Sequence, residues 1–377
     1  MKKRLNLITI SLSLMLCTLF LTRCVDNEAT EYQNTNAILN LPSEPYEYSN
    51  LNLDSKFSFL DDKVNQSVTD HGATLGRVLF YDTKLSLNNK VSCASCHQQK
   101  FGFADNKDFS LGFDGRKSLR NSHSLCNTAI NSTFFWDGRE TKMNNLVLQP
   151  VRDHIEMGLD NTLSLENRIK AVPYYKDLFE NAFNSTEITA ARISEALAQF
   201  VNSMVSVDAP VNEIDGNPYI DLSLSLPSHF SDEQKKGAEL FFGKAKCSSC
   251  HAGSSMHFSS STDIGLENDY TGKDSGQGQI TPGREGIFNI PSLVNVELTA
   301  PYMHDGRFKT LEEVIDHYNS GIKNSKNLNW LFIDQTNNEP IRLNLSSSEK
   351  KSLIAFLSTF TDSKMIEDPK YSDPFRR

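Results

Sequence analysis

Two copies of one short motif constrain this chain more than anything else in it: Cys93-Ala-Ser-Cys96-His97 and Cys247-Ser-Ser-Cys250-His251. In a Cys-x-x-Cys-His run the two thiols are spaced to form thioethers with the two vinyl groups of one haem, and the histidine that follows can ligate the iron. Zinc knuckles also use Cys-x-x-Cys pairs, but a zinc ribbon wants its pairs close together, whereas the two histidines here are 251 − 97 = 154 positions apart. A thioredoxin-like redox pair needs a βαβ setting that neither motif has. The motifs therefore predict two haems in two related domains.

At 377 residues the chain can bury a sizeable core and accommodates two domains of ordinary size. A net charge of −9 excludes nucleic acid as a partner, because a phosphate-binding surface needs an excess of Lys and Arg; it is compatible with a small basic protein. Lys2-Lys3-Arg4 followed by the apolar run from Leu5 to Leu21 reads as an export signal. As a membrane span the run is short, and it carries Asn6, Thr9 and Ser11. Leu21-Thr22-Arg23-Cys24 resembles a bacterial lipoprotein cleavage site, with Arg23 where a small residue is usual. Residues 1–24 are thus expected to be a signal, with lipid on Cys24 as a membrane tether and the periplasm or cell envelope as destination. Val25 to Asn50 is rich in Asn, Glu, Ser and Thr, and 25–60 is expected to be a flexible tether. Cys126 belongs to neither motif and is expected to be a buried free thiol.

Hydrophobic periodicity predicts a mainly α protein with few strands. A helix from Thr69 to Phe80 leads into the first motif, and one opened by a Ser231/Gln234 capping box leads into the second. Gly76-Arg-Val-Leu-Phe80 and Gly237-Ala-Glu-Leu-Phe241 stand before the motifs in the same way, an internal repeat of helix, loop and haem unit. Ile193, Leu197, Phe200, Val201 and Met204 predict a core helix capped at Ser185 or Thr186. Val207 to Pro227 is rich in helix breakers and reads as an interdomain linker, and Gly253 to Gly286 as a loop-rich insertion. Thr310/Glu313 and Ser346/Glu349 are capping boxes for helices over Leu311 to Tyr318 and toward Phe360.

Taken together, Leu75 to Asp82, Ser92 to His97, Phe135-Trp-Asp-Gly-Arg139, Ile155-Glu-Met-Gly158, the second Cys-x-x-Cys-His and Thr299-Ala-Pro-Tyr-Met-His-Asp-Gly306 resemble the bacterial di-haem cytochrome c peroxidase family, which includes a MauG-like branch. The resemblance runs in order from Asp70 to Phe360. It implies two cytochrome c-like domains, each with one covalently attached c-type haem: an N-terminal peroxidatic domain over 61–210 and a C-terminal electron-transfer domain over 228–365. It implies reduction of hydrogen peroxide at the first haem, with electrons reaching the second from a small donor such as cytochrome c. A homodimer is compatible with it.

The family pattern assigns residues to this scheme. His97 and His251 are the proximal iron ligands. In many members a loop histidine covers the first iron; it aligns with Phe113, which cannot ligate, so this iron is expected to be open, with His123 as an alternative ligand. Glu156, 20 positions beyond Trp136 (156 − 136), matches the distal acid that moves a proton between the peroxide oxygens. The accompanying glutamine falls at Leu146, with Gln149 nearby. Trp136 is expected between the haems as a transfer residue, against an ordinary core role. The second haem's sixth ligand falls at Tyr318, 14 positions after His304 (318 − 304), where the peroxidases have methionine; Met303 and Met256 are the alternatives. An anionic tyrosinate stabilises oxidised iron, whereas a thioether raises its potential. Asn121 and the carbonyls of Thr299 and Pro301 match the oxygen ligands of one calcium ion. The rival functions are a MauG-like oxidase acting on residues of a partner protein and a non-catalytic electron-transfer cytochrome.

Overall fold

Each Cys-x-x-Cys-His motif follows a helix that meets a later helix through a glycine. In the computed structural model, which describes residues 38–51, 53–214, 225–251 and 260–376, Asp70–Tyr81 packs on Ala190–Asn202, and Asp232–Phe242 packs on Ser347–Leu357. A Cβ at Gly76 would lie 2.0 Å from the Ala196 carbonyl oxygen, and one at Gly237 would lie 2.0 Å from that of Ser352. Both crossings therefore require the absence of a side chain. The cores around them match as well: Phe80 meets Phe200 and Phe241 meets Phe356, with ring centroids 5.3 Å apart in each pair. The first core also takes in Leu75, Ile193 and Leu197, the second Leu353, Leu357 and Phe360.

The fold is mainly helical. Among the described residues, four two-residue strands make two antiparallel pairs, Ile38–Leu39 with Phe375–Arg376 and Ser261–Thr262 with Phe288–Asn289. The capping boxes at Ser231, Thr310 and Ser346 form as expected. Two boundaries differ from the sequence expectation. Ala190–Asn202 starts at Thr189, whose side chain accepts from the Arg192 N–H, while the Ser185 hydroxyl is engaged by the Arg192 guanidinium. The helix expected to run to Tyr318 is α only over Leu311–Asp316 and widens to a π turn over His317–Gly321, a form that favours functional positions.

The expected tether over 25–60 packs on the core from Leu39 onward. Tyr48 is fully buried, the Tyr48 and Ser49 N–H groups both donate to Asp70 Oδ1, and the helix Ser58–Ser67 buries Leu60 and Val64. The polar composition of the stretch concealed these few anchors. The signal, Cys24, residues 25–37, residues 215–224 of the expected linker and Met256 lie outside the described residues. All described residues fall in one compact unit, Asn36–Arg377, and none of their helices is long and apolar enough to cross a membrane.

Candidate active site

Cys93–Cys96 forms one helical turn on the wall of a cavity of about 790 Å³, within the usual range for cofactor pockets. The Ser92/Ser95 capping box opens that turn, and the His97 N–H closes it on the Cys93 carbonyl. The His97 Nδ1 lies 3.0 Å from the carbonyls of both Phe103 and His123, so Nδ1 carries the proton and Nε2 is the nitrogen left to bind a metal. Burial lowers the His97 pKa, favouring the neutral ligand form. Burial also pushes the Cys93 and Cys96 thiols up to about 12, which argues against a reactive dithiol. The buried Nε2 of His123, on the same cavity, has no hydrogen-bond partner among the described residues. A large, mostly apolar cavity with two thiols, an oriented imidazole and an orphaned polar atom fits a c-type haem.

Glu156 lines this cavity from the turn that follows Gln149–Arg152. Asp153 Oδ1 accepts from the N–H groups of Ile155 and Glu156 and so fixes the turn. Burial, reinforced by the Asp153 charge and opposed by Arg139, raises the Glu156 pKa to about 7, where a carboxyl group can both give and take a proton. The Phe113 segment docks on the same turn: the Phe113 N–H donates to the Glu156 carbonyl at 2.8 Å, and the Phe113 ring covers Gly158. Leu111 and Gly112 border the cavity and the Phe113 ring packs outside it. Leu146 lines the cavity, whereas Gln149 donates to Glu140. His123 contributes its carbonyl to His97 Nδ1, and the residue also lines the cavity.

A second internal repeat, missed from the sequence, organises the space around Trp136. Residues 120–139 and 288–307 match at a constant offset of 168 (289 − 121), sharing Asn121/Asn289, Ser124/Ser292, Leu125/Leu293, Asn127/Asn295 and the Asp-Gly-Arg triplets. Their turns close alike, by Phe134 N–H to Glu140 O and Tyr302 N–H to Phe308 O, with Phe135 and Met303 both at positive φ. The copies also exchange bonds: the Asn121 N–H donates to the His304 carbonyl and the Asn289 N–H to the Trp136 carbonyl, each at 2.8 Å. Trp136 is buried, its Nε1 donates to the Asn121 carbonyl, and its ring meets those of His123 and His304. Self-comparison of the sequence at fixed offset would have found this repeat.

At the second motif, the short turn Cys247–Ser249 begins at Lys246 with φ 56°, and the His251 N–H donates to the Cys247 carbonyl. Cys250, Tyr318, Leu331 and Phe332 border a gap of about 20 Å³, room for about one water. Residues 252–259, immediately after His251, lie outside the described residues. Here the donor set and not the space suits a haem: Tyr318 and the motif's Cys250 line the same gap, while burial raises the phenol pKa and so works against the anion. Met303 does not border the gap. For calcium, the Asn121 amide N–H₂ donates to the carbonyls of Lys107 and Asp108, which turns its oxygen away from them, beside the loop that carries Thr299 and Pro301. Among the described residues no three His, Cys, Asp or Glu side chains cluster for a metal, so this expectation rests on amide and carbonyl oxygens alone.

Residues 70–216 match the family described as di-haem cytochrome c peroxidase. The chain is 34% identical over 297 residues to the methylamine utilization protein MauG of Methylorubrum extorquens, covering 78% of each. It is 31% identical over 323 residues to the cytochrome-c peroxidase IdrP2 of Denitromonas iodatirespirans, covering 76% of this chain and 80% of that one. A solved structure of a MauG-like protein associated with microbial copper homeostasis superposes with a TM-score of 0.73 at 30% identity, over 82% of this chain and 95% of the other. Identity at this level over most of both lengths, joined to two haem-attachment motifs, leaves one conclusion: the chain belongs to the di-haem cytochrome c peroxidase family.

Proposed function

We propose that this protein is a di-haem peroxidase that converts hydrogen peroxide, two electrons and two protons into two waters. The observation that carries the proposal is a single cavity holding Cys93, Cys96 and an oriented His97 together with Glu156, whose pKa is raised to about 7. When bound, the two haems supply the redox-active irons, one to meet peroxide and one to accept electrons from a small donor such as cytochrome c. Cys93, Cys96 and His97 hold the first; Cys247, Cys250, His251 and Tyr318 hold the second. Glu156 takes the proton from the near peroxide oxygen and returns it to the departing one, a transfer worth roughly 10²–10⁴ in rate. Trp136, fixed through Nε1, bridges the two halves. Asn121, Thr299 and Pro301 hold calcium beside it. Residues 61–210 and 228–365 form the two haem domains, and the protein acts in the periplasm or cell envelope after export, tethered through lipid on Cys24.

Two observations favour a second reading, a MauG-like oxidase of a partner protein. The Phe113 ring packs on Gly158 outside the cavity, and Tyr318 stands at the second motif where methionine is expected of a peroxidase. Adding stoichiometric peroxide to the fully ferric holoprotein tests the peroxidase proposal. Prompt loss of a high-spin signal in optical and EPR spectra is expected, and inertness in every redox state would leave only an electron carrier. Rapid turnover with reduced cytochrome, against slow oxidation of a partner protein, then separates the two enzymes.

A further inference from the structure

The His123 side chain has no part in the scheme above. Its ring lines the first cavity and lies 4.1 Å from that of Trp136, inclined by 34°. Its Nε2 is buried with no hydrogen-bond partner among the described residues, an unfavourable state for a polar atom. The backbone role of the residue, accepting from His97 Nδ1, requires no particular side chain. The chain's own repeat makes the same point: the residue matching His123 at the offset of 168 is Pro291 (291 − 123), which has no polar side-chain atom. Histidine at 123 is therefore not demanded by the turn.

The neighbouring cations are engaged elsewhere. Arg120 donates to Asp274, Asp137 and Gln279. Arg139 donates to Asp137 and stacks on Phe135, 3.6 Å from the ring centroid. The cofactor that the thiols and His97 would hold is largely apolar but carries two carboxylates on one edge, and a carboxylate is the natural acceptor for an imidazole N–H inside a cavity.

We propose that His123 Nε2 donates a hydrogen bond to a carboxylate of the first haem and is the positioning residue that fixes that edge beside Trp136. This rests on the assignment of Cys93, Cys96 and His97 to a haem. The bond disperses the carboxylate charge; without it that charge stabilises the oxidised iron and lowers the potential of this haem alone.

The test uses the holoprotein with both haems attached, as native chain, His123→Phe and His123→Gln. Resonance Raman spectra report the haem carboxylate bending bands, and spectroelectrochemistry reports each midpoint potential. His123→Phe is expected to shift one carboxylate band and lower the first potential while leaving the second in place; His123→Gln, which keeps an N–H donor, is expected to restore both. An unmoved band and potential in His123→Phe would overturn the inference. If that variant does not retain haem, His123→Gln decides alone: native band and potential support the bond, and displacement of both refutes it. Neither readout uses peroxide, so failure here leaves the peroxidase proposal standing, and a protein inert to peroxide leaves this test intact.

Discussion

Trp136 and His304 occupy the same position in two copies of one turn, and their rings meet with centroids 6.3 Å apart and planes at 71°. Phe288 stacks on His304 at 3.9 Å and His123 lies against Trp136, so pairwise contacts link four rings from the two repeats into one file. The repeats build this file themselves, because each places its ring beside the other through the exchanged backbone bonds.

Replacing Trp136 by Phe keeps a ring in the file but removes the donor to the Asn121 carbonyl. Loss of that bond should lower stability by roughly 0.5–1.5 kcal/mol, measured by denaturant unfolding of the holoprotein. Oxidation of the second haem after peroxide addition should become slower in stopped-flow traces.

Glu156→Gln should slow the reaction with peroxide by roughly 10²–10⁴ and abolish a rise in rate centred near pH 7 in the native protein. The stability effect has the opposite direction. Because the folded state keeps the Glu156 proton up to about pH 7, the unfolded chain releases it first as pH rises from about 4.5, and native stability falls across that window. At pH 8 the Gln variant should be the more stable by on the order of 1–3 kcal/mol.

Gly158 has φ 77°, and a Cβ there would lie 2.5 Å from the Phe113 ring. Gly158→Ala should cost roughly 1–2 kcal/mol for the left-handed backbone and roughly 1–3 kcal/mol for the clash. Adding Phe113→Ala should relieve the second part but not the first, a non-additivity that a double-mutant cycle by thermal unfolding would detect.

On the proposal that Tyr318 holds the second iron, Tyr318→Met should raise the midpoint potential of that haem, because a thioether would replace an anionic oxygen there. Spectroelectrochemistry resolving the two haems checks this. An unchanged potential would remove Tyr318 from the ligand set.

The two Cys-x-x-Cys-His motifs were legible in the chain because attachment of one haem would demand fixed spacing: Cys93, Cys96 and His97 are near neighbours in sequence. The roles proposed for Glu156 and Trp136 come from family resemblance, since a lone Glu or Trp has no distinguishing local pattern. The 25–60 tether failed on Tyr48, whose burial is created by Asp70, Phe200 and Tyr371, partners far along the chain.

By itself, then, the sequence determined the two attachment motifs, the helices that deliver them and the capping boxes, all features set by contacts a few residues apart. Only the tertiary structure decided that Phe113 packs on Gly158 outside the cavity, that burial brings Glu156 to about 7, and that His123 meets Trp136 with a nitrogen to spare. Orientation, desolvation and unpaired polar atoms are properties of packed surroundings, and no window of sequence contains them.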